Sequence, residues 1–315
     1  MILNHRSTNL IFSFAIIVFI STGCNTLQSP STPTQAPRTI EAATSPTPVP
    51  RPTLPGDKID VGGYNLYLDC KGTGNPTVIL ESGLDGDVVT WKDVHPDVAK
   101  FTRVCRYDRA GLAHSDYGPT PRNAELIAQD LHTLLSNANI APPYILVGHS
   151  FGGLLIRRYA FDYPGDVAGL IFVDSLQEDW WDEALALLPP PSSNDSARLA
   201  SFRIYLMDGW RDPGGSFEAM DIPAVVDQVR GTGNFGDIPV TVLTAAKFTV
   251  LNPGLPPELE TALANLFVEE QSRLAALSTN GTQIIIPDTG HDMPRENPSI
   301  VVEAIRQMVF EVNSK

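Results

Sequence analysis

The stretch YILVGHSFGG, residues 144–153, decides how this chain is read. Tyr144–Gly148 is a nearly continuous apolar run, as expected of a strand buried on both faces. From Gly152 to Asp162 the spacing turns helical. Between them Gly148 and Gly152 bracket Ser150 as G-x-S-x-G, in the strand–turn–helix setting this motif requires. A serine on so sharp a turn stands with its Oγ exposed at the strand end, near the positive terminus of the next helix. Glycine is needed on both sides because strand and helix approach too closely for a Cβ. Ser150 is therefore the expected nucleophile.

A serine hydroxyl needs a base within hydrogen-bond reach. The six histidines stand at 5, 95, 114, 132, 149 and 291, and only His291 follows the last expected strand, in PDTGHDMP (287–294). His149 adjoins Ser150, but its side chain is expected to point away. The acid is harder to find. After the strand Val240–Ala245 the residues AKFTVLNPG contain no Asp or Glu. Asp174, at the end of the strand Gly169–Asp174, is the expected orienter of His291, with Glu178 or Asp179 as alternatives. Asp288 and Asp292 lie too close to His291 in sequence to hold it. Two amides are expected to receive the oxyanion of a tetrahedral intermediate. One is that of Phe151, and the other that of Leu84 in ESGLDG (81–86), where Gly83 and Gly86 permit a turn.

Further out, short β-rich runs alternate with helical patterns, which predicts an α/β domain with a mostly parallel sheet covered on both faces. Expected strands are Lys58–Val61, Asn65–Asp69, Thr77–Glu81, Arg103–Tyr107, Tyr144–Gly148, Gly169–Asp174, Val240–Ala245 and Gln283–Pro287; expected helices are Asn123–Asn137, Gly152–Asp162, Pro257–Leu277 and Ser299–Val312. The segment 177–238 breaks the alternation and is expected to be an inserted, partly helical cap. It contains Trp180, Trp181 and Trp210, and the Trp180–Trp181 pair suits either an acyl or aromatic substrate or a lipid contact. In YDRAGLAHSD (107–116), Asp108 and Arg109 are expected to form a buried pair that organises a loop.

Taken together, ESGLDG (81–86), YDRAGLAHSD (107–116), ILVGHSFGG (145–153), GLIFVDS (169–175) and DTGHDMP (288–294) resemble the α/β-hydrolase superfamily, in the right order across nearly the whole domain. The resemblance implies an eight-stranded sheet in the order 1-2-4-3-5-6-7-8. That order makes the second and fourth strands neighbours and so implies a disulfide between Cys70 and Cys105. Two departures stand out: Glu81-Ser82-Gly83 replaces the more usual His-Gly, and the acid after the seventh strand is missing. The resemblance also implies hydrolysis of a small carboxylic ester. Amidases, peptidases, thioesterases, lactonases and cofactor-free haloperoxidases share the same triad, whereas epoxide hydrolases and dehalogenases use Asp in place of Ser150. A tethered, non-catalytic binding protein on the same scaffold is the reading from another class.

Composition bounds the rest. The 315 residues carry 43% hydrophobic and 18% charged residues, enough for one large core. A net charge of -14 argues against nucleic acid as a partner. No HExxH or clustered Cys/His spacing points to a metal, and no cofactor is implied. At the N-terminus, His5 and Arg6 precede the apolar run LIFSFAIIVFI (10–20) and then STGC (21–24), which reads as a signal peptide over 1–23. Cys24 is then either a lipidated first residue, anchoring the chain to the outer face of the cell membrane, or incidental to an ordinary cleavage site. Residues 24–55 are rich in Ser, Thr and Pro and are expected to form a disordered tether to a hydrolase domain at 56–315. Nothing in the sequence specifies an oligomeric state.

Overall fold

A computed structural model describes residues 56–247 and 254–314. The expected signal peptide, Cys24 and the tether lie outside the described residues. Eight strands form one sheet: β1 (Asp57–Asp60), β2 (Asn65–Lys71), β3 (Thr77–Glu81), β4 (Val104–Tyr107), β5 (Tyr144–His149), β6 (Val167–Val173), β7 (Val240–Ala245) and β8 (Gly281–Ile286). Their order is β1-β2-β4-β3-β5-β6-β7-β8. β1 pairs antiparallel with β2, and β2 with β4; from β4 to β8 every pairing is parallel. Cys70 and Cys105 lie opposite each other in the β2–β4 register and are joined as a disulfide.

The helices follow the apolar periodicity: α1 (His95–Val98), α2 (Ala124–Asn137), α3 (Gly152–Asp162), α4 (Trp180–Ala186), α5 (Ala197–Met207), α6 (Ile222–Arg230), α7 (Pro257–Ala275), α8 (Met293–Glu296) and α9 (Pro298–Asn313). Asn123 caps α2 by accepting from the Leu126 amide at 3.0 Å, so the helix begins one residue later than expected. β8 ends at Ile286 because Pro287 has no N–H to extend a ladder.

Alternation along the strands sorts the core into two layers. Ile79, Leu146, Leu170 and Val242 face α2, α3 and the end of α7. Val78, Leu80, Ile145, Val147, Ile171, Val173 and Leu243 face the α1 segment and α9. With both faces covered, β3 and β5 are buried at every residue.

A third cluster joins α4, α5 and α6, which lie between β6 and β7, to Phe151, Leu154 and Leu155 at the start of α3 and to Leu259, Leu263 and Phe267 of α7. Trp181 stacks on Trp210 with ring centroids 4.8 Å apart, and Trp180 stands edge-on to Phe267 at 5.7 Å. All three tryptophans are buried. The suggestion that they contact lipid is thereby corrected: they form the core of this helical segment. Among the described residues no helix is long and apolar enough to cross a membrane.

Candidate active site

The turn after β5 is as tight as its glycines require. A Cβ at Gly148 would stand 2.7 Å from the Gly152 carbonyl oxygen, and one at Gly152 would stand 2.7 Å from the carbonyl oxygens of Glu81 and Ser82. At Gly153 it would collide with the Ser175 side chain. Ser150 sits between them at φ +53°, a left-handed conformation that costs a non-glycine residue energy. Backbone bonds to the β6 side hold it there: the Ser150 amide donates to Val173 O at 3.1 Å, and the Leu176 amide donates to Ser150 O at 3.0 Å.

Asp174 is the residue just past β6, itself at φ +45° and only 2% exposed. Its Oδ1 accepts from the Ala245 amide at 2.8 Å. Its Oδ2 lies 2.7 Å from His291 Nδ1, while His291 Nε2 lies 3.0 Å from Ser150 Oγ. An ionised carboxylate only accepts, so Nδ1 carries the proton and donates to Asp174. Nε2 then presents a lone pair to the serine hydroxyl. Burial pushes the Asp174 carboxyl above its usual range, and the bonds from His291 and the Ala245 amide oppose that rise.

Of the acids weighed, Asp174 alone meets His291. Glu178 is paired with Arg157, which lowers its carboxyl against the pull of burial. Asp179 pairs with Arg230 at 2.9 Å. Asp288 faces Lys247 at 3.2 Å and Asp292 faces Arg295 at 3.5 Å.

Two supports for the His291 loop were missed in the sequence. Glu296 accepts from the Gly290 amide at 2.6 Å. His149 donates from Nε2 to the His291 carbonyl oxygen at 2.8 Å, its ring centroid 5.0 Å from that of His291. Burial, reinforced by nearby His291, pushes His149 down to about 3, so it stays neutral. As expected, His149 makes no bond to the Ser150 side chain; its ring instead braces the backbone of His291. No motif could have announced this, because the contact is to a main-chain atom 142 residues away.

The loop after β3 lies against the serine: a Cβ at Gly83 would stand 3.2 Å from Ser150 Cβ. The Gly86 amide donates to Gly83 O at 3.0 Å, closing a turn in which Asp85 has φ +56°. Neither the Leu84 amide nor the Phe151 amide donates to another described residue. Beneath this turn, Arg109 binds Glu81, Glu218 and the carbonyl oxygens of Ser82 and Gly83. The expected Asp108–Arg109 pair does not form. Asp108 instead accepts from the Val88 amide at 2.8 Å and bonds His114 at 2.9 Å, because successive residues leaving β4 point to different sides. Glu218 lies 109 residues beyond Arg109, within the segment between β6 and β7, and no local pattern marks it. Among the described residues no group of three or more His, Cys, Asp or Glu could hold a metal ion.

A mostly parallel sheet, a strand–turn–helix bearing a serine, and a histidine and carboxylate converging on that serine define the class of an α/β-fold hydrolase. Residues 78–304 match the model of the Alpha/beta hydrolase family, and the chain belongs to that family. It is 26% identical over 299 residues to the protein named Probable transporter efuK of Hormonema carpetanum, covering 82% of this chain and 43% of that one. The chain thus spans less than half the length of that relative. Its fold is similar to Alpha/beta hydrolase domain-containing protein 10 from mouse, with a TM-score of 0.58 and 16% identity over 82% of this chain and all (100%) of that one. It is also similar to a thermophilic esterase from Thermogutta terrifontis, with a TM-score of 0.54 and 21% identity over 82% of this chain and 99% of that one. At these identities both likenesses concern the fold.

Proposed function

We propose that the protein is a serine hydrolase of carboxylic esters, with Ser150 as nucleophile, His291 as general base and acid, and Asp174 as the carboxylate that orients it. The observation that carries this reading is the single imidazole bridging Ser150 Oγ at 3.0 Å and Asp174 Oδ2 at 2.7 Å. Oγ attacks the acyl carbon as its proton passes to His291 Nε2, and the imidazolium is stabilised by Asp174. The developing oxyanion is received by the amides of Phe151 and Leu84. His291 then protonates the departing alcohol, leaving an acyl–Ser150 ester. Water, deprotonated by the same imidazole, releases the acid and restores the serine. The helices between β6 and β7 serve as a cap over the acyl group, since their core continues into Phe151 beside the nucleophile.

Export and attachment to the outer face of the cell membrane through a lipid on Cys24 belong to the same proposal, supported by the apolar run and STGC at residues 10–24. Incorporation of a clickable fatty acid by the full chain, lost in Cys24→Ser, would test it.

The activity is tested by hydrolysis of short- and long-chain p-nitrophenyl esters by the full chain. Ser150→Ala is expected to lower kcat about 10⁵-fold or more and to abolish labelling by a fluorophosphonate. A wild-type chain inert to both reagents would overturn the proposal and favour a non-catalytic binding protein.

A further inference from the structure

We infer, on the footing of the esterase reading above, that Arg109 is the positioning residue for the Leu84 oxyanion donor, and that Glu218 of the segment between β6 and β7 keeps Arg109 in that role. A docked segment and a competent oxyanion site are then one state of the molecule.

The guanidinium has five N–H groups, and all five are spent here. Nε and Nη2 grip the two carboxylate oxygens of Glu218, each at 2.6 Å. Nη1 donates to Glu81 Oε1 at 2.5 Å and to Ser82 O at 2.9 Å. The remaining Nη2 proton goes to Gly83 O at 2.7 Å. That last bond sets the aim of Leu84. The Gly83–Leu84 peptide is trans, so its C=O and N–H point in opposite directions. With the carbonyl held by Arg109, the Leu84 N–H is turned away from Arg109, in a turn that rests on Ser150.

Glu218 does more than neutralise charge. Its Oε1 also accepts from the Asp85 amide at 3.0 Å, and Asp85 Oδ1 accepts in return from the amides of Phe217 at 2.8 Å and Glu218 at 3.3 Å. Asp85 is the residue held left-handed in the Gly83–Gly86 turn, a conformation whose cost must be met by its surroundings. On the other side the strap is laced to the body of the domain: the Arg122 amide donates to Ala219 O at 2.9 Å and the Asp221 amide to Arg122 O at 2.7 Å. If this strap lifted, Arg109 would lose its bidentate partner and Asp85 every bond described here.

This role differs from simple support of the fold in what it does to substrates. An oxyanion donor acts on the charge that develops at the carbonyl oxygen, so the loss should be greatest for an oxygen ester. It should be small for the matching thionoester, whose sulfur anion accepts hydrogen bonds poorly. The experiment compares kcat and KM of the full chain and its Arg109→Lys, Glu218→Gln and Asp85→Asn variants on an oxygen ester and its thionoester, with Ser150→Ala alongside. Lysine has three donors on a point charge and cannot reproduce the fork. The expected result is a roughly 10–100-fold fall in kcat on the oxygen ester, somewhat less than deletion of a donor. KM should stay within about threefold, and the oxygen-to-thiono rate ratio should fall with kcat. Should Arg109→Lys not fold, the two strap variants carry the comparison. Equal losses on both esters, or no loss in any folded variant, would overturn the role of Arg109 while Ser150→Ala remained dead. Full activity in Ser150→Ala would instead overturn the esterase reading, and this inference with it.

Discussion

Two buried carboxylates flank the turn after β5, and they are partnered in opposite ways. Glu81 ends β3 on one side, and Asp174 follows β6 on the other. Burial pushes both carboxyls up from their usual range. Glu81 meets a permanent cation: Arg109 at 2.5 Å, with the Tyr107 hydroxyl as a second donor. Burial works to lower Arg109, but Glu218 and Glu81 outweigh it and hold the guanidinium above its usual value. That charge is fixed through any reaction cycle, so the arrangement can only hold geometry. Asp174 meets an imidazole at 2.7 Å, a ring that chemistry allows in both neutral and protonated forms. Similar burial thus yields a fixed strut beside β3 and, on the reading proposed above, a partner for moving charge beside β6.

The largest expected effect separates the two directly. Asp174→Asn keeps the shape but reverses the hydrogen-bond sense toward His291, and kcat should fall about 10⁴-fold. Urea unfolding should show stability held or raised, since a costly buried carboxylate is gone. Glu81→Gln should do the reverse: a loss of about 3 kcal/mol in unfolding, because Arg109 keeps a buried charge with one partner fewer, and a far smaller fall in kcat. The comparison breaks if Glu81→Gln costs as much rate as Asp174→Asn while stability is untouched.

A smaller effect concerns the His149 imidazole. His149 is held near 3 by burial, whereas an unfolded histidine takes up a proton near 6.5. Between those values the unfolded chain binds the extra proton, so stability declines as pH falls. One such group contributes at most about 1.4 kcal/mol per pH unit. His149→Gln should flatten the stability profile between pH 6 and 4 measured by urea titration at fixed ionic strength. An unchanged slope would mean that His149 is charged in the fold and is no neutral brace. The smallest effect belongs to an exposed carboxylate. Asp288→Asn removes a surface pair with Lys247 and should leave both kcat and Tm unchanged. A measurable rate loss would extend the charge-handling side of the comparison beyond Asp174.

The strands were legible because buried parallel strands are near-continuous apolar runs, and TVILE and YILVGH each occupy one. Residues 145–153 fix a local geometry, so the turn at Ser150 could be read from spacing alone. His291 could be reached by elimination, and Asp174 because the residues after β7 offer no acid. What could not be read were contacts that depend on where distant backbone ends up. His149 meets a carbonyl across the molecule, and Arg109 reaches past its neighbour Asp108 to Glu218 in a segment without strong periodicity. The tryptophans were ambiguous for a related reason. An aromatic residue reads alike in a core and on a greasy surface until its neighbours are known.

The carboxylate that meets His291 stands just past the strand next to the serine's own, tied to the Ser150 amide through the neighbouring Val173 carbonyl and to β7 through the Ala245 amide. The span between β7 and α7 is therefore relieved of supplying an acid. In evolutionary terms the serine and the carboxylate are inherited as one unit of two adjacent strands, so a change that parts β5 from β6 would lose both at once.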